Sequence, residues 1–113
     1  MSLMENGNTS RDDGWRKIRA PKAWRPTEGE ILEGIYLGPK EAEGQYGPYT
    51  KHIVAEDRTS EPLFVSGTVV DTLFMSSLAQ PGMRVRLVFL GLVETANGAY
   101  YKNFDMYVKD PLT

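Results

Sequence analysis

The residues best suited to chemistry in this chain are aromatic and basic side chains in two short runs beside glycines. The first run contains Tyr46, Tyr49 and Lys51, and the second contains Tyr100, Tyr101 and Lys102. Aromatic rings stack on nucleic-acid bases of any sequence, and lysines neutralise phosphates. Tyrosine is also a good strand former that caps small barrels with its hydroxyl in water. For any single tyrosine a structural role is favoured, but among the six tyrosines of the chain we expect two or more to contact a ligand, with Phe64 between the two runs.

A second group of candidates is a basic stripe formed by Arg84 and Arg86. Alternation along a strand directs both side chains to the same face. Three interpretations stay open, namely contacts to a ligand, salt bridges to Glu33 on a neighbouring strand, and an oligomer surface. The predicted nucleic-acid-binding set is then Tyr46, Tyr49, Lys51, Phe64, Arg84, Arg86, Tyr100, Tyr101 and Lys102.

Signatures of catalysis and of metal binding are missing from the sequence. The chain has no cysteine, no G-x-x-x-x-G-K-[ST] phosphate loop and no H-E-x-x-H motif. Its single histidine, His52, cannot alone form a histidine metal site, and we expect it at the surface or rim of a strand. Glu56 and Asp57 are adjacent, so in a strand they point to opposite faces, and we interpret them as a solvated turn. We therefore predict a protein that is not an enzyme and uses no metal or cofactor.

The elements that must position these residues follow from alternation and turn signals, which predict five strands and one short helix. The predicted strands are Glu30–Leu37, Tyr49–Glu56, Leu63–Ser66 (or on through Val70), Met83–Leu90 and Tyr100–Val108, with the helix at Asp71–Gln80. Three strands, a helix and two strands is the order of the oligonucleotide/oligosaccharide-binding (OB) fold. The sequence therefore predicts a mainly β, five-stranded OB-fold barrel with one short helix between strands three and four, rather than an SH3-like barrel.

Local signals predict several details of these elements. Asp71 is a suitable helix N-cap, residues 40–48 read as a loop, and Asn97-Gly98 predicts a type I′ hairpin turn. In the first strand Ile35 and Leu37 share one face and Tyr36 takes the other. In the second strand either face could be the core face, and Ile53 with Ala55 is favoured. The other predicted core positions are Leu73, Phe74 and Leu78 in the helix, then Met83, Val85, Leu87 and Phe89, and finally Phe104, Met106 and Val108.

Residues 1–28 are predicted to form a flexible N-terminal arm, and residues 29–113 an OB-fold domain. Residues 1–14 are polar and lack periodicity, and residues 1–3, which precede Met4, are interpreted as a cloning remnant. A basic run follows, made of Arg16, Lys17, Arg19, Lys22 and Arg25. This run is either a solvated tail or a ligand contact. Trp24 is expected to dock on the barrel, because its large apolar area is wasted in water.

The composition is that of one globular domain of 113 residues. The formal net charge is −2, and residues 29–113 contain eleven acidic and seven basic residues. Any affinity for nucleic acid must therefore come from local placement of bases and aromatics or from the arm. No window approaches the roughly 20 apolar residues of a membrane helix. The absence of cysteine fits a reducing compartment, so we expect a cytoplasmic protein with no membrane partner.

Four runs of residues carry a family resemblance. They are Gly29–Tyr36, Tyr46–Tyr49, Pro81–Leu87 and Tyr100–Phe104. Over residues 29–108 the pattern resembles small phage- or prophage-encoded OB-fold proteins, some of which bind single-stranded DNA. Two features depart from what the resemblance implies. Residues 109–113 are not the long tail with an acidic tip that typical bacterial single-stranded DNA-binding proteins carry, and the predicted barrel is acidic.

Two main classes of function stay open. The first is binding of single-stranded DNA, or of RNA, with low sequence specificity through tyrosine stacking and Lys/Arg contacts to phosphates. The second is a protein-interaction or assembly module on an OB scaffold, which contacts a protein partner or a second copy without binding nucleic acid. An accessory subunit of an enzyme is a weaker third hypothesis.

Overall fold

The structure, a computed structural model, describes residues 20–110, which form six strands and one helix. The elements are β1 (Lys22–Ala23), β2 (Ile31–Gly44), β3 (Gly47–Glu56), β4 (Pro62–Val65), α1 (Thr68–Ser77), β5 (Arg84–Glu94) and β6 (Tyr100–Lys109). The predicted strands one to five correspond to β2 to β6. The predictions on residues 1–19, including the cloning remnant, the polar stretch and the basic positions Arg16, Lys17 and Arg19, lie outside the described residues.

The strands form one sheet in the order β1-β4-β3-β2-β5-β6. A mainly β chain with one short helix between predicted strands three and four is thereby confirmed. The predicted closed barrel of five strands is not formed, because β4 and β6 are not paired and the described sheet has six strands. The sixth strand, β1, runs parallel to β4 along its outer edge, and the Trp24 N–H donates to the Phe64 carbonyl at 2.9 Å. A short segment of the predicted arm therefore takes the edge where β6 would have closed a barrel.

The core lies where α1 packs against one face of the sheet. Its buried residues are Leu32, Tyr36, Val54, Val65, Val70, Phe74, Val85, Leu87, Phe89 and Phe104. The inward faces of β5 and β6 are as predicted, since alternate residues from Val85 and from Phe104 are buried or packed against the core. Trp24 also packs against this core, which confirms that it docks.

The predicted face of β3 is wrong. His52 and Val54 are buried, whereas Ile53 and Ala55 are only half-buried on the opposite face. The error arises because a histidine was assigned to solvent, although a buried imidazole is stable where both ring nitrogens have partners. In β2 the inward face is that of Tyr36, and Leu37 is 52% exposed.

The two hairpins place the candidate tyrosines. The predicted loop at residues 40–48 is instead paired, since β2 and β3 continue to Gly44 opposite Gly47 and leave a two-residue turn. The second hairpin lies at the predicted place, with the Gly98 N–H donating to the Thr95 carbonyl at 3.0 Å. Gly98 has a φ of 85°, but Asn97 is absent from the described residues with positive φ, so the predicted type I′ turn is wrong. A type I turn followed by a left-handed glycine fits this geometry.

The helix begins three residues earlier than predicted, and its N-cap is Gly67, not Asp71. Asp71 lies within the first turn and directs its carboxylate to His52. Val70 and Phe74 are buried and Leu73 packs against the core, but Leu78 is 74% exposed, contrary to prediction. Within residues 20–110, no helix has the length and apolar character needed to cross a membrane.

Candidate nucleic-acid interface

The gap between β4 and β6 is filled by an aromatic contact rather than by strand pairing. Trp24, which follows β1, lies with its ring centroid 6.1 Å from that of Phe104 on β6. Phe104 in turn contacts Phe89 on β5, with centroids 5.3 Å apart. The docked tryptophan thus connects the two edges of the sheet and leaves a groove along the junction.

This groove, called the seam groove below, has a volume of about 290 Å³. Its aromatic and basic lining is Trp24, Arg25, Tyr49, Phe64 and Lys102, with Phe104 at its base. The structure therefore brings three predicted site residues, from three different strands, into one groove. Sequence reasoning placed Arg25 only in the basic run, because nothing local shows that β1 pairs with β4.

Two side chains that line the seam groove, Phe64 and Tyr49, each contact a neighbouring residue of the sheet. Lys51 holds its ammonium 4.5 Å from the centroid of the Phe64 ring, a cation–π contact across β3 and β4. The ring of Tyr49 covers Gly44 so closely that a Cβ on Gly44 would lie 3.0 Å from the ring. A larger residue than glycine at that position would displace Tyr49 from its present place.

A second cavity, of about 320 Å³, adjoins the seam groove at the start of α1. It is lined by Tyr101, Lys102 and Phe104 of β6 and by residues 66–70. Lys102 and Phe104 line both cavities, so the two are adjacent. Tyr101 therefore lies next to the seam groove, whereas Tyr46 and Tyr100 line neither cavity. Tyr46 is 95% exposed at the tip of the β2–β3 hairpin, and Tyr100 is 63% exposed at the start of β6.

The two arginines of the basic stripe belong to an ion-pair network outside the seam groove. Arg84 bonds to Asp57 through a close contact and to Glu33 at 3.4 Å, and Arg86 donates to Glu33 at 3.2 Å. The predicted salt bridge to Glu33 is confirmed, and Asp57 is a second carboxylate partner. The hydrogen bond from Arg86 lowers the pKa of Glu33, with Arg84 adding to the effect, and the hydrogen bond to Asp57 raises the pKa of Arg84. A ligand role for Arg84 and Arg86 stays a prediction.

His52 was predicted at the surface or rim of a strand, but it is buried and contacts three side chains. Its Nδ1 lies 3.1 Å from the Tyr36 hydroxyl and its Nε2 lies 2.7 Å from Asp71 Oδ1, and its ring stacks on Phe74 at 4.3 Å. Burial raises the pKa of the Tyr36 phenol. The three side chains form an Asp–His–Tyr chain of contacts in which Tyr36 is only 3% exposed. The chain of contacts ties α1 to β2 and β3.

Among residues 20–110, no three His, Cys, Asp or Glu side chains are grouped so that they could hold a metal ion. The seam groove presents aromatic rings and cationic side chains. Comparison with models of protein families, with curated proteins and with solved structures finds no match to this chain.

Proposed function

We propose that this protein binds single-stranded DNA, with low sequence specificity, along the seam groove. The observation that carries the proposal is that Trp24, Tyr49 and Phe64 share one groove with Arg25 and Lys102. Rings that stack on any base, alternating with cations that neutralise phosphates, are the chemistry of sequence-tolerant single-strand binding. A duplex offers its bases only at their edges, so it would be bound much more weakly by such a groove.

The fold assignment that accompanies this function is an OB fold that is left open between β4 and β6. The strand order β4-β3-β2-β5-β6, with a helix between β4 and β5, matches that of an OB barrel cut at this junction. In our proposal the packing of Trp24 closes this junction, which in a closed OB barrel is closed by hydrogen bonds between strands. OB folds bind oligonucleotides on the face of their second and third strands, which here are β3 and β4. A relationship to small phage or prophage OB proteins is part of this proposal.

The binding event we envisage begins at Phe64. Its ring face is occupied by the Lys51 ammonium, at 4.5 Å, in the unliganded protein. A base stacking on that face displaces the ammonium, which then meets the adjacent phosphate. Tyr49 receives a neighbouring base, and Lys102 and Arg25 contact phosphates on either side. Tyr101, Tyr46 and Tyr100 extend the path beyond the groove, and Arg84 and Arg86 contribute least because carboxylates already pair with them.

The experiment that tests this function is a titration of labelled oligo-dT of about 30 bases, followed by fluorescence anisotropy. The matched control is a duplex of the same length. We expect saturable binding to the single strand that weakens as salt is raised, since phosphate contacts release counterions. No binding at tens of micromolar protein would reject the proposal, and affinity unchanged at about 0.5 M salt would reject its phosphate contacts.

A protein-interaction module is the second candidate, and the charge of the chain is the observation that favours it. Residues 29–113 hold eleven acidic against seven basic residues, an adverse balance for a polyanion ligand. In this alternative the tyrosines as a group, including Tyr49 and Tyr101, contact a protein, and Tyr46 and Tyr100 are the most exposed of them. Alanine at Tyr49 and at Tyr101 separates the two candidates, since loss of a protein complex with DNA binding intact would support the module.

A further inference from the structure

The outer edge of β6 is the longest unpaired strand edge in the described part of the chain. β6 runs for ten residues and is hydrogen-bonded to β5 alone. In an antiparallel pair, alternate residues direct their N–H and C=O groups away from the partner strand. No backbone hydrogen bond from another element within residues 20–110 reaches that edge. β6 therefore presents a row of backbone donors and acceptors that a further strand could pair with.

Two common protections of such edges, a proline and a β-bulge, are missing from β6. The strand has no proline, and the irregularity in the β5–β6 ladder is an extra residue in β5, between Phe89 and Gly91, not in β6. The helix covers the inner face of β6, where Ser77 contacts Met106. The outer face carries Asp105, Tyr107 and Lys109, all of which are exposed.

The charges on this outer face are complementary to those on the same face of a second copy. Asp105, Tyr107 and Lys109 are spaced by two residues, so they share one face of the strand. When a second β6 lies antiparallel with Tyr107 opposite its own copy, Asp105 of each strand faces Lys109 of the other. Neither Asp105 nor Lys109 has an ion-pair partner among residues 20–110. One register thus produces two cross-strand ion pairs that each copy lacks alone.

We propose that two copies of this chain pair through the edge of β6, antiparallel, with Tyr107 on the two-fold axis. The contact is isologous, because the same five residues of each copy meet, and such self-complementary surfaces close as dimers. Tyr107 is already held in place by Arg86, which lies 5.9 Å from its ring centroid. The pairing uses the second half of β6 and leaves Tyr101 and Lys102, at the start of the strand, free for the seam groove.

The test reverses the charge at Asp105 and at Lys109 in two separate variants and then mixes the two variant proteins. In the variant Asp105→Lys, the introduced lysine of each copy would face Lys109 of the other copy. In Lys109→Asp, the introduced aspartate of each copy would face Asp105 of the other copy. We expect the full-length wild type to sediment as a dimer at about 100 μM, and each variant to dimerise about tenfold more weakly. An equimolar mixture of the two variants should form a heterodimer, since every Lys then faces an Asp. Glu43→Lys, a charge change of the same size on the exposed end of β2, is the control and should dimerise like the wild type.

The outcomes distinguish dimerisation through the β6 edge from other modes of association. A heterodimer from two weakly associating variants requires both proteins to be folded, so misfolding cannot imitate the expected result. A wild type that stays monomeric at that concentration would overturn the proposal and leave the edge to a strand of another protein. A dimer that both variants retain would show that the copies meet through a different surface.

Discussion

Phe64 is the residue on which the proposed DNA contact depends most directly. Its ring lies in the seam groove with Lys51 stacked upon it. Replacing Phe64 with Ala should weaken oligo-dT binding about tenfold, since each stacked base contributes roughly 1–3 kcal/mol. The measurement is the anisotropy titration, with Leu37→Ala as a matched truncation of an exposed apolar residue outside the groove. Equal affinities for the two variants would remove Phe64 from the interface.

His52 has a structural role rather than a role in binding. Its imidazole joins Tyr36, Asp71 and Phe74, and truncation would leave a cavity and an unpartnered buried hydroxyl. We expect His52→Ala to lower the free energy of unfolding by about 3 kcal/mol. Urea denaturation measures the loss, with Ser76→Ala on the exposed side of α1 as the control. A loss below about 0.5 kcal/mol, the range of ordinary surface substitutions, would contradict a structural role for the histidine.

At the scale of elements, β1 should stabilise the sheet chiefly through Trp24. Only two residue pairs join β1 to β4, so backbone pairing alone holds it weakly. Half-burial of the Trp24 ring against Phe104 leads us to expect a loss of about 2 kcal/mol in Trp24→Ala, and a smaller loss in Trp24→Phe. Chemical denaturation of both variants checks the order. Stability equal to that of the wild type would show that the arm is not part of the folded unit.

The ion-pair network joins three elements, namely β2, β5 and the turn after β3, and it should make their contact depend on pH. The pKa of Glu33 is lowered in the folded protein by Arg86 and Arg84. A lowered pKa means that the folded state binds the proton less readily, so the stabilisation is present above the ordinary value of 4.5 and is lost as pH falls below it. In Glu33→Gln this part of the acid sensitivity should disappear. Urea unfolding at neutral pH and at about pH 3.5 compares the two proteins, and identical losses in both would contradict the assignment.

The sequence predicted the elements with strong local signals and failed where partners are distant. The alternation through Val85, Leu87 and Phe89 identified β5 and its inward face, because period-two burial needs no knowledge of neighbours. The buried side of β3 could not be read locally, since it depends on partners of His52 that lie 16 and 19 residues away. The extension of the β2–β3 hairpin was likewise hidden, because polar residues 40–48 gain their pairing only from each other.

For the candidate site too, the sequence predicted what depends on residue type and missed what depends on distant pairing. Tyr49, Phe64 and Lys102 were identified by residue type and by their place in the predicted order, and the fold brings them to one groove. Tyr46 and Tyr100 were predicted on the same grounds, but they lie on extended hairpin ends outside it. The contribution of Arg25 depends on a parallel pairing of two residues, which leaves no periodic signal in the sequence. Residue type was therefore more informative about chemistry than about proximity.

The whole molecule combines an acidic chain with a locally basic aromatic groove. The most direct measurement is the backbone amide NMR spectrum of the full-length protein, recorded as unlabelled oligo-dT is added. We expect shift changes concentrated at Trp24, Tyr49, Phe64 and Lys102, with Asp105 to Lys109 little affected. Changes spread over the ion-pair network at Arg84 and Arg86, or no changes at all, would contradict the claim that the seam groove binds single-stranded DNA.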